Sequence, residues 1–392
     1  DAAACHPGAW AGRPRPPSDA ESGVEDLGAA VEAQARYVYR HGGDRARTRA
    51  MLCHITHHAL HDRFHQARDL LLMSHLQDTI GHTDVGTQVL FNRMMALLGL
   101  AAFRAGMIRE AHACLTELCS GRTKELLAQG VQQSKFSDKS PEQEKEERRR
   151  QVPYHMHINL DLLECCHLTA AMLLEVPNMA LHPDRQDRRH IISRHFRKHR
   201  DIYGRQVFTG PPENTRDHVM AAAEAMAQGD WRRAAALMEG LDVWNLLPGE
   251  GTTDRVKAML RRKIQREALR AYLFLYGPHY AALSLPLLCE MFGLDRGEAH
   301  SVVSKMILTE ELAASWDQPT ATVVLHRAEP SALQALAAKL ADKCGALVES
   351  NERLLEARSG GGFAFGYKDD WRKRGGGGGR GGDREGGGRG GD

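Results

Sequence analysis

The sequence has no Cys-x-x-Cys pair, no His-Glu-x-x-His, no glycine loop headed by Lys-Ser/Thr, no Gly-x-Ser-x-Gly turn and no kinase signature. These omissions remove the usual sequence marks of zinc ribbons, metalloproteases, phosphate-loop enzymes and serine hydrolases. Asp and Glu are plentiful, but no pair or cluster is marked as an acid/base site, so a non-enzyme with no cofactor and no metal is expected. A dominant charge is also missing. Lys plus Arg number 52 against 50 Asp plus Glu, a formal charge of +2, so no whole-molecule field draws the chain to nucleic acid or an anionic membrane. No apolar run reads as reaching the ~20 residues that span a bilayer, and no charged-then-apolar leader opens the chain. The eight cysteines (5, 53, 114, 119, 165, 166, 289 and 344) lack the density of a small secreted scaffold and read as reduced thiols in a cytoplasmic protein. The first residue is Asp, not Met, which reads as a fragment or a sequence lacking its true start.

What is present is mainly helical text in a chain long enough for two to three domains. Residues 1–30 (GRPRPPSDAESG among them) are rich in Ala, Gly, Pro and Arg and read as a disordered lead-in. Residues 31–279 form a helical array, interrupted by the charged stretch 134–153 and by a basic stretch over 182–212. Between 185 and 200 the latter carries seven Lys/Arg against one Asp. From Gly360 onward, 16 of the 38 glycines alternate with arginines in a low-complexity tail. The disordered tail is expected over 358–392.

Within the array, Cys53–Leu71 (CHITHHALHDRFHQARDLL) packs five histidines into twelve residues. At helical spacing His54, His58, His61 and His65 fall on one stripe, with Leu52, Ile55, Ala59, Leu60 and Phe64 on the other sides. A shared metal ion would need further ligands from another element. A solvated face is therefore the expectation. More informative is a recurring corner: Phe64-His-Gln-Ala67, Gly106-Met-Ile-Arg-Glu-Ala111 and Gly229-Asp-Trp-Arg-Arg-Ala234, with Leu98-Gly99 preceding the second. Each resembles the turn of a tetratricopeptide hairpin, where glycine relaxes the backbone, a large side chain plugs the groove and alanine lets the helices approach. The intervals, 44 and then 123 residues, point to a degenerate solenoid.

Residues 280–328 read as a winged helix. Ser284 and Pro286 open a short helix; Asp295-Arg-Gly-Glu298 is a capping box opening a second, with Val302, Val303, Met306 and Ile307 on one face. AASWDQPTATVVLHR then gives a β-hairpin around Asp317-Gln-Pro-Thr320. In the second helix Arg296 and Lys305 are offset by Glu298, Glu310 and Glu311, which disfavours DNA reading. The hairpin offers another use: Thr322, Val323 and Val324 as an apolar β edge for a neighbouring subunit, with Trp316 as anchor, or else as cover for their own core. Residues 329–357 form a closing amphipathic helix suited to another chain's helix or to its own domain. On the helix RVKAMLRRKIQREALR, Arg255, Arg262 and Arg266 share one side and could follow a phosphate backbone, the alternative being a solvated face. Arg374, Arg380 and Arg389 each precede glycines, as in segments that contact RNA weakly through charge and arginine stacking.

The succession of solenoid, winged helix and closing helix resembles PCI domains. The wording CHITHHALHDRFHQARDLLLMSHLQD, EKEERRRQVPYHMHINLDLLECC and SVVSKMILTEELAASWDQPTATVVLHR is similar to the c-subunit family of eukaryotic translation initiation factor three, over roughly Ala35 to Glu356. That resemblance implies a non-catalytic scaffold that pairs with the PCI domain of the a subunit, sits on the small ribosomal subunit, touches mRNA or rRNA weakly and has no metal at its histidines. It also implies that initiation factors one and five are engaged by a region upstream of this chain's start. The readings left beside it are a PCI subunit of the proteasome lid or signalosome, a winged-helix nucleic-acid-binding regulator, and a zinc protein built on His54–His65.

Overall fold

The computed structural model describes residues 27–119, 123, 126, 127, 145, 158–182, 190–206, 210–326 and 332–359. Most of the lead-in, nearly all of the charged stretch 134–153, the glycine-rich tail and with it Arg374, Arg380 and Arg389 lie outside the described residues. Helix α1 begins at Leu27 and runs to His41, so regular structure starts earlier than the expected onset at 31. The described elements are mainly α and fall into two units, residues 1–326 and 327–392.

In the first unit, α2 (Asp44–Leu60) and α3 (Phe64–Ser74), α5 (Val85–Arg104) and α6 (Ile108–Thr116), and α9 (Thr215–Ala227) and α10 (Trp231–Glu239) are packed hairpins. The short α4 (Leu76–Thr79) links the first pair to the second. The three corners share one backbone solution. Asp62, Gly106 and Gly229 have φ of 58°, 77° and 87°. At each, the next residue's N–H reaches five residues back: Arg63 to His58, Met107 to Ala102 and Asp230 to Ala225, at 2.9–3.0 Å. This is the left-handed helix stop that normally wants glycine and that aspartate tolerates. The alanines after them, Ala67, Ala111 and Ala234, are fully buried, as close helix approach requires.

The first corner corrects the histidine stripe. Because α2 stops at Leu60, His61 and His65 do not continue the helix of His54 and His58. His54 is buried, not solvated, while Leu60, assigned to the apolar side, is 54% exposed. The helix turns its Leu52, Ile55 and Ala59 side to the core.

At the centre lies α7 (Leu160–Leu181), which packs on α6, α9 and the long α11 (Thr252–Tyr276). Asn159 caps it by accepting from the N–H of Asp161 and Leu162. Helix α8 (Arg194–Gly204) lies against α7 and α9. Helix α5 qualifies an expectation: one 18-residue window of it has a mean hydropathy of 1.3, which by length and composition alone is long and apolar enough to cross a membrane. Its most apolar window is 67% buried inside the array, which is where a core helix puts such residues. Phe103 of α5 stacks on Trp244 at 5.7 Å with ring planes 8° apart, both fully buried.

The wing comprises β1 (Ala282–Ser284), α12 (Leu285–Phe292), α13 (Arg296–Leu308), β2 (Ala314–Asp317) and β3 (Thr322–Leu325). Its antiparallel sheet has the order β1-β3-β2. Val303 and Met306 of α13 and Val323 of β3 are buried beneath it, with Val302 and Ile307 packed alongside. The second unit contains α14 (Ala332–Ser359), whose described side chains are exposed, Leu333, Leu336, Leu340, Leu347, Leu354 and Leu355 among them.

Candidate subunit interface

The wing is fastened to the array by contacts that the sequence pattern does not disclose. The Trp231 indole N–H donates to the Met291 carbonyl at 2.8 Å, and the Gln265 amide to the Gly293 carbonyl at 3.3 Å. Gly293 has φ of 62°, and a Cβ there would lie 3.0 Å from the Trp231 ring, so glycine is needed both for the turn and for the approach. Arg266 on α11 donates to Glu298 on α13 at 2.6 Å, and Arg270 to Glu311 at 2.8 Å.

These pairs rearrange two expectations. Asp295 does cap α13, accepting from the Gly297 N–H at 3.1 Å. Glu298, however, turns its carboxylate to Arg266, so the box is not closed by the pattern that predicted it. The arginine face of α11 is likewise largely engaged within the protein. Arg266 is ion-paired, Arg255 donates to the Thr252 hydroxyl at 3.0 Å, and Arg261 binds Glu239 through its Nε at 2.6 Å. Arg262 is exposed. The three arginines grouped on one side by helical spacing are thus not an equivalent set of phosphate ligands.

The expected apolar edge is corrected as well. Thr322, Val323 and Val324 lie on β3, the middle strand, paired with β1 on one side and β2 on the other. No backbone edge remains there. Val323 is fully buried, and the Thr322 hydroxyl lies 2.8 Å from that of Thr320. Trp316 stacks on His300 at 4.4 Å and donates its indole N–H to Ser304 at 3.0 Å. Its ring is committed to α13, because an indole packed on a helix needs a nearby acceptor for its N–H.

Among the described strands, the outer side of β2 is unpaired. The His326 N–H donates to the Ala313 carbonyl at 2.8 Å, and the register continues as Ala314↔Leu325, Ser315↔Val324, Trp316↔Val323. Antiparallel alternation then turns the backbone groups of Ser315 toward β3 and those of Ala314 and Trp316 outward. Sequence reasoning missed this because β1 is three residues long, too short for a two-residue period to register, and without it β3 looks like an edge.

Among the described residues no group of three His, Cys, Asp or Glu side chains is placed to hold a metal ion. His54 Nε2 lies 3.1 Å from His58 Nε2, and His54 Nδ1 lies 3.3 Å from the Tyr39 hydroxyl. Burial lowers the pKa of both imidazoles, favouring a neutral pair that shares a hydrogen bond. The buried thiols are equally quiet: burial lifts Cys119 and Cys165 to about 12, far from the thiolate state that makes cysteine a nucleophile.

Three family models match in succession: "Eukaryotic translation initiation factor 3 subunit 8 N-terminus" over residues 15–185, "PCI domain" over 245–327 and "EIF3CL-like, C-terminal domain" over 334–358. Among curated proteins, the c subunit of eukaryotic translation initiation factor 3 from Bombyx mori is 53% identical over 332 residues, covering 83% of this chain and 37% of that protein. The chain belongs to the c-subunit family of eukaryotic translation initiation factor 3. The Xenopus tropicalis c subunit is 50% identical over 348 residues, 87% of this chain and 37% of its own length. That of Neurospora crassa is 48% identical over 349 residues, 88% of this chain and 40% of its own. The chain therefore spans somewhat over a third of the curated c subunits it matches. The PCI match opens at residue 245, before α11 and well ahead of the wing, in keeping with the ties from Gln265, Arg266 and Arg270 that make α11 and the wing one packed body.

Proposed function

We propose that this chain is a non-catalytic, cytoplasmic scaffold portion of an initiation factor 3 c subunit, joining other PCI subunits edge to edge through β2. The observation that carries the reading is the outer side of β2, unpaired among the described strands, on a wing tied to the array by hydrogen bonds and ion pairs. A strand from a neighbouring PCI domain, that of the a subunit first, would add to Ala314 and Trp316 by backbone hydrogen bonds. Family membership supports the partner class, since a PCI region and a c-subunit sequence occur in the same chain.

The test is co-purification of the full chain with the a subunit's PCI domain, compared with an Ala314→Pro variant. Proline at 314 removes an outward N–H without touching the β3 ladder. The expected outcome is a complex with the parent chain and its loss with the variant, at unchanged helical content. A complex indifferent to the substitution would overturn the β2 assignment. A parent chain that does not associate would count against the scaffold reading itself.

A contact with ribosomal RNA or mRNA that supports preinitiation complex formation belongs to the same reading. Exposed Arg262, with Arg255 beside Thr252, supports it on α11. Arg374, Arg380 and Arg389 support it only by their sequence. Arg262→Glu is expected to weaken binding of the full chain to single-stranded RNA and to lower its salt dependence.

A further inference from the structure

Four histidines on three helices form a ladder beside α8. His112 of α6 stacks on His167 of α7 at 5.1 Å with planes 14° apart. His167 faces His195 of α8 at 6.0 Å, and His195 faces His199, one turn on, at 4.4 Å with their Nε2 atoms 3.0 Å apart. His112 and His167 are buried. His112 Nε2, His167 Nδ1 and His195 Nδ1 are buried ring nitrogens without a hydrogen-bond partner.

Among the described residues, the charged groups facing the ladder are Glu164 and Glu175 from α7, Arg197 and Lys198 from α8 and Arg216 from α9. Both carboxylates are already engaged. Glu164 accepts from Arg216 Nε at 2.9 Å. Glu175, fully buried, binds Arg197 and accepts from the N–H groups of Ile192 and Ser193 at 3.2 and 3.4 Å, which ties down the start of α8. Among the described residues, a proton added to the ladder would meet Arg216, Lys198 and the neighbouring imidazoles at close range and no carboxylate free of a cation.

We propose that α8 is an acid-released strap, docked on α7 and α9 while the four imidazoles are neutral and detached as they take up protons. Burial holds all four below the ordinary imidazole range, His167 at about 3 and His199 at about 4. The sign follows from linkage. The docked state binds fewer protons than the open one, so docking is complete above the ordinary imidazole pKa and weakens as pH falls below it. Each imidazole solvated only in the open state multiplies the opening constant about tenfold at one pH unit below about 6.5. The contribution that raises His195 and His199, from Glu164, is opposed by Arg216 and Lys198 in both.

The experiment is hydrogen exchange of the full chain between pH 7.5 and 5.5, corrected for intrinsic exchange, comparing residues 194–204 with 231–239 of α10, which carry no histidine. The proposal expects the opening constant of α8 to rise about a hundredfold or more, for two or more imidazoles released, with α10 unchanged. It also expects His195→Asn/His199→Asn to reduce that rise at least tenfold. Equal loss of protection in the two helices would overturn it, since that is global unfolding. So would a His167 ring that titrates in its ordinary range by NMR while α8 stays protected, a measurement on the parent chain that stands if the variant does not fold.

Discussion

The guanidinium of Arg270 joins Glu267 on its own helix to Glu311 beyond α13, 2.8 Å from each. All three side chains are about three-quarters buried, so this one residue both neutralises a carboxylate in the array and anchors the wing. Arg270→Ala is expected to destabilise the protein by about 1–3 kcal/mol, the cost of leaving buried acceptors unpaired. Burial already raises Glu267 against the pull of Arg270. Without the arginine the carboxyl can escape its penalty by protonation. The loss in the variant should therefore be larger at pH 7 than at pH 5, measured as the shift in urea midpoint at each pH.

Trp244 fills the core against Phe103 and donates its indole N–H to the Met238 carbonyl at 2.7 Å. Trp244→Ala removes a fully buried ring and strands a carbonyl, and about 3–5 kcal/mol of stability should go with it. Trp244→Phe should lose less, because it keeps the stacking surface. Denaturant unfolding of the two variants distinguishes the terms.

Gly99 sits where α5 and α6 touch: a Cβ built on it would lie 2.6 Å from Leu115 Cδ2. Gly99→Ala is expected to cost about 1–3 kcal/mol by overpacking. Leu115→Ala made in the same chain should recover part of that loss, a coupling a double-mutant cycle reads directly.

The pair His54 and His58 tests the zinc reading. Elemental analysis of the purified chain is expected to find no stoichiometric metal. Tyr39→Phe should lower stability by about 0.5–1.5 kcal/mol, because the buried His54 loses the hydroxyl at its Nδ1. Stoichiometric zinc retained through His54→Ala would place any metal elsewhere, and zinc lost with it would restore the metal reading.

Much of this architecture could be read from residues alone. Gly106 and Gly229 announced their corners, because only a residue without Cβ stops a helix that way without strain. The first corner was readable through Phe64 and Ala67, although its left-handed residue is Asp62, and that substitution made a broken helix look like one long histidine stripe. The wing's helices were legible from Pro286, Asp295 and the spacing of Val303 and Met306. What stayed hidden depends on partners distant in the chain. Nothing local tells that Glu298 faces Arg266 or that the Trp316 indole donates to Ser304. Nor does any local pattern tell that Ala282–Ser284 closes off β3. Such pairings exist only after the chain has folded, which is why the fold was more readable than the surface it offers.

The brevity of β2 limits what can attach to it. A strand laid along its outer side finds the amides and carbonyls of Ala314 and Trp316 and little more, a handful of bonds worth about 1 kcal/mol each. Stray polypeptide gains too little from so small a landing to stay. A lasting neighbour must bring its own side chains to the join, so selectivity at this seam falls to its flanks and the ladder itself serves only to set the alignment.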